Sequence, residues 1–192
     1  HGQQITDQDG DEALKDPNDH YDEAIVPYDA AISYGRNGYR GESHLTDDEL
    51  NIMLGRIADK IGRKGLLVVV YDACHSGDLS RTDKEESGLS YRGTYDAFNQ
   101  PLEGCSTEPA LKDCNWVSIS ACKSFQTNFQ VVVDGRRYGR LSYAIAKCMK
   151  KGMTVSALLD NLRATYKQMP MPAGRHQSIS YDVPAELLGR KL

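Results

Sequence analysis

Apolar residues recur at helical spacing in three segments of the chain, and each segment is predicted to form an amphipathic helix. The first helix is expected to begin at Thr46, because Thr46 and Glu49 make a capping-box sequence, and to end at the glycines Gly62 and Gly65. The other two helices are expected over residues 141–151 and 155–169. The apolar positions of the first helix are Leu50, Leu54, Ile57, Ala58 and Ile61.

Short apolar runs between these segments predict strands. Residues 66–71 form a continuous apolar run rich in β-branched side chains, which is typical of a strand buried on both faces of a parallel sheet. Strands are also expected over residues 24–28 and 116–122, and a hairpin with a type I′ turn at Asp134-Gly135 over residues 129–138. Strands that alternate with helices predict an α/β layered sandwich.

Two polar segments separate the predicted elements. Residues 7–23 are acidic and are expected to form a loop. Residues 78–114 are longer than a structural connection needs, so they are interpreted as a functional loop or a processing linker. This segment is also the best candidate for an internal cut in the chain.

Composition and charge narrow the class of protein. The 192 residues are 40% hydrophobic and 26% charged, which suits a single globular domain over residues 1–192 and excludes disordered, fibrous and integral membrane classes. The net charge is only −4, but the first 50 residues hold 13 acidic against three basic residues. Such an acidic block argues against a nucleic-acid partner and favours metal cations or basic peptides, with a solvated acidic face as the alternative.

The five cysteines form an odd set without a C-x-x-C pair, so neither a disulfide framework nor a structural zinc site is predicted. Cys74 lies three residues beyond the predicted buried strand, in the polar turn D-A-C-H-S-G. A thiol there is presented from a rigid element into a cleft, as a nucleophile requires, and a buried structural thiol is the alternative. His1, followed by glycine, is a candidate partner. His75 is interpreted as structural, and three histidines that match no motif are interpreted as exposed loop residues: His20, His44 and His176.

Together these segments resemble the caspase-like cysteine peptidases, and within them the metacaspases and their bacterial relatives. The matching segments follow the order of that family across about 145 residues. They are H-G at 1–2, G-D-E at 10–12, Y-D-E-A-I-V-P-Y-D at 21–29, L-T-D-D-E-L at 45–50, V-V-V-Y-D-A-C-H-S-G at 68–77, I-S-A-C-K-S-F-Q-T at 119–127 and Y-G-R-L-S-Y-A-I at 138–145. The resemblance implies a three-layer α/β/α sandwich with a mostly parallel central sheet.

The resemblance also implies a catalytic dyad. His1 would be the general acid or base and Cys74 the nucleophile, because a nearby imidazole stabilises a thiolate and later protonates the leaving amine. By the same analogy the backbone N–H groups of Gly2 and Cys74 would receive the oxyanion. The implied reaction is hydrolysis of a peptide bond through a thioester acyl-enzyme.

Asp72 resembles the acid that lines the substrate pocket of metacaspases, and Ser120 would lie beside that pocket. A carboxylate in the pocket selects a cationic side chain, so the implied specificity is cleavage after Arg or Lys. The alternative is that Asp72 caps the turn after its strand. For an enzyme of this specificity, candidate self-processing sites in residues 78–114 would be Arg81, Lys84 and Arg92, with ordinary solvated charges as the alternative.

The acidic block gains a specific interpretation from the family. In calcium-dependent metacaspases, carboxylates equivalent to Asp22, Asp47 and Asp48 bind Ca²⁺, which prefers oxygen ligands. A further acid of that site falls on Arg81 here, and Asp47 and Asp48 also suit the N-terminus of a helix. Ca²⁺ is therefore the implied cofactor, and no organic cofactor is expected.

Protein or peptide substrates with a basic residue before the cleaved bond are the expected partners, with no nucleic acid and no membrane span, and a monomer is favoured over an obligate dimer. The rival interpretations are a catalytically inactive scaffold, a calcium-responsive binding module and a peptidase specific for acidic residues.

The sequence does not determine the cellular compartment, with the cytoplasm slightly favoured over the periplasm or secretion. Since the family fold needs strands before its H-G segment, the domain is expected to be incomplete at the N-terminus.

Overall fold

The computed structural model describes residues 1–15, 17–73, 93–94, 96–102, 115–123 and 126–192, and the statements below concern those residues. They form four α-helices: α1 (Glu12–Lys15), α2 (Asp47–Ile61), α3 (Arg140–Cys148) and α4 (Val155–Gln168). They also form eight strands: β1 (Gly2–Thr6), β2 (Tyr21–Ile25), β3 (Leu45–Thr46), β4 (Val68–Tyr71), β5 (Val117–Ser120), β6 (Gln130–Val133), β7 (Arg136–Gly139) and β8 (Ser180–Asp182). None of these helices is long and apolar enough to cross a membrane.

The three helices predicted from apolar spacing are present. The capping box of α2 is complete, because the Thr46 side chain accepts from the Glu49 N–H and the Glu49 side chain accepts from the Thr46 N–H. Gly62 ends the helix with φ 67°, a conformation in which a glycine is not strained. Local signals therefore determine both ends of this helix.

The strands form three sheets. In the first sheet, β1, β2 and β3 are antiparallel. In the second, β4 and β5 are parallel and β8 pairs with β5 antiparallel, while β6 and β7 make a separate hairpin. The α/β class is confirmed, but the mostly parallel sheet is not, because β4–β5 is the one parallel pair among these strands. The two-residue turn between β6 and β7 permits only antiparallel pairing, because a parallel pair needs a crossover connection of about a dozen residues or more.

The hairpin of β6 and β7 follows the prediction. Asp134 and Gly135 adopt φ 50° and 74°, the left-handed values that both central residues of a type I′ turn require. Strand β4 differs from its prediction. It lies at an edge of its sheet and Val70 is 41% exposed, so this apolar run is not buried on both faces within the described residues.

The main core packs the β4–β5–β8 sheet against α3 and α4. Its fully buried members include Val117 and Ile119 of β5, Leu141 of α3 and Leu162 of α4. Arg140 is 2% exposed and donates to the carbonyl groups that end α4, those of Tyr166, Met169 and Pro170. A cation at the C-terminus of a helix is favourable, and this contact fixes α3 against α4.

The acidic segment predicted as a loop over residues 7–23 instead contains α1 and the start of β2, which pairs with β1. Strand β1 was not predicted, because its sequence G-Q-Q-I-T is mostly polar. The Gln3 side chain is 1% exposed and donates to the carbonyl oxygens of Ile32 and Asp96 at 2.9 and 2.8 Å.

The prediction that His44 is an exposed loop residue is wrong. His44 is 7% exposed and its Nε2 lies 3.0 Å from Gln3 Oε1, whereas His20 and His176 are exposed as expected.

Candidate active site

The ends of β4 and β5 lie side by side. Tyr71, the last residue of β4, is in register with Ser120, the last residue of β5, and Asp72 follows Tyr71 directly. In α/β proteins, substrate sites typically lie at the C-terminal ends of parallel strands. Cys74, the predicted nucleophile, lies outside the described residues, as do Arg81, Lys84 and Arg92.

His1 and Gly2 lie at the start of β1. The His1 side chain is exposed, while its carbonyl oxygen accepts from the Val26 N–H at 2.9 Å. Gly2 is buried, is in register with Ile25 of β2, and accepts from the Thr94 N–H through its carbonyl oxygen at 3.1 Å. The backbone of the predicted histidine is therefore held in place while its imidazole remains accessible.

A cleft of about 340 Å³ lies between the end of β2 and the ends of β4 and β5. One wall includes Ile25, the pairing partner of Gly2, and the other includes Tyr71 and Ser120. The strand paired with the His1–Gly2 segment and the end of β4 thus line the same cleft. Ser120 also lines this cleft, and Asp72 directly follows Tyr71 in the sequence.

The Asp72 carboxylate accepts three hydrogen bonds. Its Oδ1 accepts from Asn128 Nδ2 at 3.0 Å, and its Oδ2 accepts from the Ser142 N–H at 2.9 Å and from Ser142 Oγ at 2.6 Å. Ser142 is in the first turn of α3, so Asp72 also caps this helix. All three donors are electrically neutral, and Asp72 makes no salt bridge among the described residues.

Sequence reasoning missed these partners of Asp72. Ser142 lies within the matching segment at 138–145, so the motif carried a signal for it. Asn128 is fully buried and receives a hydrogen bond from Gln177, 49 positions away. Nothing in the local sequence around Asn128 or Gln177 indicates that pairing.

The acidic block forms two clusters in which carboxylate oxygens lie within 4.8 Å of one another. One contains Asp7, Asp9 and Asp11, and the other contains Asp11, Asp22 and Asp48. The structure thus brings together two of the three predicted calcium ligands, Asp22 and Asp48, and adds Asp11, which the sequence did not single out. Asp47 lies in the first turn of α2 and borders the cleft, but it belongs to neither cluster.

Asp22 is the most confined of these acids. It is 6% exposed, and its Oδ1 has no hydrogen-bond partner among the described residues. Burial, reinforced by the nearby charges of Asp7, Asp47, Asp48 and Asp9, raises the pKa of Asp22 to about 8. A buried acceptor without a donor is costly, and a bound cation would satisfy it.

Two cysteines are described, Cys122 and Cys148, and neither forms a disulfide bond. Burial raises the pKa of the Cys148 thiol, so Cys148 is poorly suited to act as a nucleophile. Cys105 and Cys114 lie outside the described residues.

A sequence profile of the caspase domain, a peptidase family, matches residues 1–179. The chain belongs to the caspase family. This assignment confirms the resemblance drawn from the sequence motifs, and it identifies the chain at family level as related to cysteine peptidases.

The relatives of this caspase-domain chain are metacaspases. It is 26% identical to metacaspase-1 of Cryptococcus neoformans and 29% identical to metacaspase-1B of Aspergillus fumigatus, and each match covers 92% of this chain. The matches cover 44% and 49% of those two proteins, so the chain spans about half the length of the curated relatives. A crystal structure of a Geobacter sulfurreducens protein has a TM-score of 0.51 at 18% identity, covering 99% of this chain and 66% of that one, and supports the fold alone.

Proposed function

We propose that this chain is a cysteine endopeptidase that cleaves peptide bonds after Arg or Lys. His1 would act as the general acid or base, and Cys74 as the nucleophile that forms a thioester with the substrate. The backbone N–H groups of Gly2 and Cys74 would stabilise the oxyanion, a contribution that typically changes the rate by about 10²- to 10³-fold per donor.

The observation that supports this proposal is a cleft lined both by the strand that pairs with the His1–Gly2 segment and by the strand that precedes Cys74 in the sequence. Ile25, paired with Gly2, forms one wall, and Tyr71, three residues before Cys74, forms the other. A substrate carbonyl within the cleft would be reached from both sides, as attack by a thiolate and protonation by an imidazole require.

The specificity follows from the charge of Asp72. Its three hydrogen bonds come from neutral donors, so no cationic side chain of the described residues compensates its charge. A partly buried carboxylate in this position favours a cationic partner from the substrate. An acidic side chain would meet repulsion there, which argues against specificity for acidic residues.

The experiment is an assay of fluorogenic peptides that differ only in the residue before the cleaved bond: Arg, Lys, Asp or citrulline. Wild type is compared with Cys74→Ala and His1→Ala, each with Ca²⁺ or with EDTA. We expect turnover of the Arg and Lys peptides in wild type and none in Cys74→Ala. Correct folding of all three proteins without any turnover would favour the inactive scaffold instead. Gel filtration of the same samples tests the expected monomer.

A second proposal is that the cluster Asp11, Asp22 and Asp48 binds Ca²⁺. The supporting observation is the buried Asp22 Oδ1, which lacks a donor among the described residues and lies within 4.8 Å of carboxylate oxygens from the other two acids. Oxygen-only ligands suit a hard cation such as Ca²⁺. In this chain Asp11 would supply a ligand where the family's further acid is replaced by Arg81. Bound Ca²⁺ would supply positive charge that fixes the β1–β2 hairpin against the start of α2.

Calorimetric titration with Ca²⁺ tests the second proposal independently of peptidase activity. We expect saturable binding in wild type and at least tenfold weaker binding in Asp11→Asn. Asp29→Asn is the matched control, because it removes the same charge from an exposed position outside both clusters. Equal weakening by the two variants would mean that only the general acidity of the block attracts the cation. Binding without any peptidase activity would favour the calcium-responsive module.

A further inference from the structure

Two buried amide side chains connect Asp72 to the backbone behind the cleft. Asn128 is 0% exposed and Gln177 is 8% exposed. Buried polar groups are costly unless they are hydrogen-bonded, so the positions of their donors and acceptors are informative.

The orientation of the Gln177 amide is determined by the main chain. Its Oε1 accepts from the Phe129 N–H at 3.0 Å, and its Nε2 donates to the Ala121 carbonyl oxygen at 2.9 Å. A flipped amide would place a donor against an N–H group and an acceptor against a carbonyl oxygen. Only one orientation of Gln177 satisfies both backbone groups.

Gln177 then determines the orientation of Asn128. The same Nε2 donates to Asn128 Oδ1 at 2.8 Å, so the Asn128 Nδ2 faces the other way and donates to Asp72 Oδ1 at 3.0 Å. The polarity of the chain from Gln177 through Asn128 to Asp72 is therefore fixed by the backbone of Ala121 and Phe129.

The hydrogen bonds to Asp72 limit how many further donors its carboxylate can accept. A carboxylate has about four acceptor positions. Ser142 uses two on Oδ2 and Asn128 uses one on Oδ1, which leaves one position on Oδ1. The carboxylate is thus held in one orientation with a single acceptor position open.

We infer that Asn128 is a positioning residue, oriented by Gln177, that holds Asp72 in the orientation needed to recognise a cationic substrate side chain. The inference rests on the proposed role of Asp72 in the substrate pocket. It assigns to Asn128 a part of the selectivity without direct contact between Asn128 and the substrate. Loss of its donor would release Asp72 Oδ1 and weaken recognition of the positive charge, while the chemical step at a neutral substrate would be preserved.

The test compares kcat/KM for an Arg peptide with that for its citrulline counterpart, which has nearly the same shape but no charge. Asn128→Leu keeps a side chain of similar size and removes the donor. We expect the Arg-to-citrulline ratio to fall about tenfold, mainly through a higher KM for the Arg peptide, with the citrulline rate unchanged. Benzamidine, a small planar cation, is titrated against the same proteins by calorimetry, and its affinity is expected to fall in parallel.

Asn128→Asp is the second variant, because it keeps the shape and is expected to make the ratio depend on pH. Two carboxyl groups at this distance do not both ionise readily, so at acidic pH the new carboxyl is protonated and can still donate to Asp72. The ratio is expected to approach wild type at acidic pH and to fall as the pH rises. Any pH dependence of the dyad cancels in the ratio.

Gln126→Ala is the matched control. Gln126 Oε1 accepts from the Ser178 N–H and Oγ, so it joins the same two segments as the Asn128–Gln177 pair. We expect the Arg-to-citrulline ratio of Gln126→Ala to equal that of wild type. A wild-type ratio in both Asn128 variants, with unchanged benzamidine affinity, overturns the inference and leaves the proposed function intact. A wild type that neither cleaves the Arg peptide nor binds benzamidine overturns both.

Discussion

The carboxylate of Asp72 lies against the bare α-carbon of Gly139. A Cβ on Gly139 would overlap Asp72 Oδ2, which is the oxygen that accepts both hydrogen bonds from Ser142. Gly139 has φ −60° and ψ 135°, a conformation open to any residue, so the glycine is needed here for space and not for backbone freedom. The end of β7, the start of α3 and the end of β4 therefore meet closely at the proposed substrate carboxylate.

Gly139→Ala is expected to displace the Asp72 carboxylate and to lower the Arg-to-citrulline ratio of kcat/KM by at least tenfold. The backbone tolerates alanine, so the melting temperature should change by only a few degrees. Gly55→Ala in α2 is the control, because a Cβ there meets no atom within 4 Å. That substitution should leave the ratio unchanged and stabilise the helix by about 0.5–1 kcal/mol. An Arg-to-citrulline ratio in Gly139→Ala equal to that of wild type would show that Asp72 does not recognise the positive charge of the substrate.

Ser142→Ala is expected to raise the preference for Arg over Lys. Ser142 Oγ occupies a position on Asp72 Oδ2 that a guanidinium needs for two parallel hydrogen bonds, while the Ser142 N–H continues to hold the carboxylate. Removal of the hydroxyl should increase the Arg-to-Lys ratio of kcat/KM about three- to tenfold. Ser142→Thr keeps the hydroxyl and serves as the control. An unchanged ratio in Ser142→Ala would contradict the idea that Oδ2 is saturated in wild type.

Asp22→Asn is expected to have opposite effects with and without cation. In EDTA the substitution removes a carboxyl group whose pKa is raised to about 8 by burial and by neighbouring carboxylates. The melting temperature should therefore rise by about 2–4 °C for each kcal/mol of unfavourable interaction that is removed. With Ca²⁺ the wild type should be stabilised by binding, and the variant should lose most of that gain. Thermal denaturation in both buffers measures whether the difference in melting temperature between the variant and wild type changes sign. A variant less stable than wild type in EDTA would show that Asp22 has a structural role that does not involve a cation.

His44 is expected to make the fold sensitive to mild acid. Burial lowers the pKa of His44 below its usual 6.5, and the ring bonds to Gln3 Oε1 through Nε2 and to Tyr39 Oη through Nδ1, at 3.0 and 2.9 Å. Because the folded pKa lies below that of the unfolded chain, the stability is complete above about pH 6.5 and is lost as the pH falls through the folded value. His44→Gln should flatten the dependence of the free energy of unfolding on pH below 6.5, measured by urea denaturation. A slope equal to that of wild type would assign the acid sensitivity to other groups.

The parts of this fold that the sequence predicted are those with local causes. The start of α2 depends on Thr46 and Glu49, and the β6–β7 turn depends on Asp134 and Gly135, all close in sequence. Strand β1 was missed because Gln3, buried inside it, bonds to the carbonyl oxygen of Asp96, 93 positions away. No periodicity of apolar residues records such a contact.

The candidate site divides in the same way. Asp72 and Ser120 were proposed because they belong to motifs that resemble those of the family, and in the structure Ser120 ends β5 beside Tyr71, the residue before Asp72. Asn128 and Asp11 were not singled out, since their roles depend on partners brought together by the fold: Gln177 for the first, and Asp22 with Asp48 for the second. Sequence motifs identified groups that would act on substrate, and the structure added the groups that hold them.

The measurement that tests the account most directly is kcat/KM on matched Arg, citrulline and Asp peptides for wild type, Asp72→Asn and Cys74→Ala. Asp72→Asn keeps the shape of the side chain and removes its charge. Wild type is expected to prefer Arg by at least a hundredfold over both other peptides. Asp72→Asn should lose most of this preference while still cleaving the citrulline peptide, and Cys74→Ala should cleave none. Undiminished preference for Arg in Asp72→Asn, or turnover by Cys74→Ala, would contradict the account.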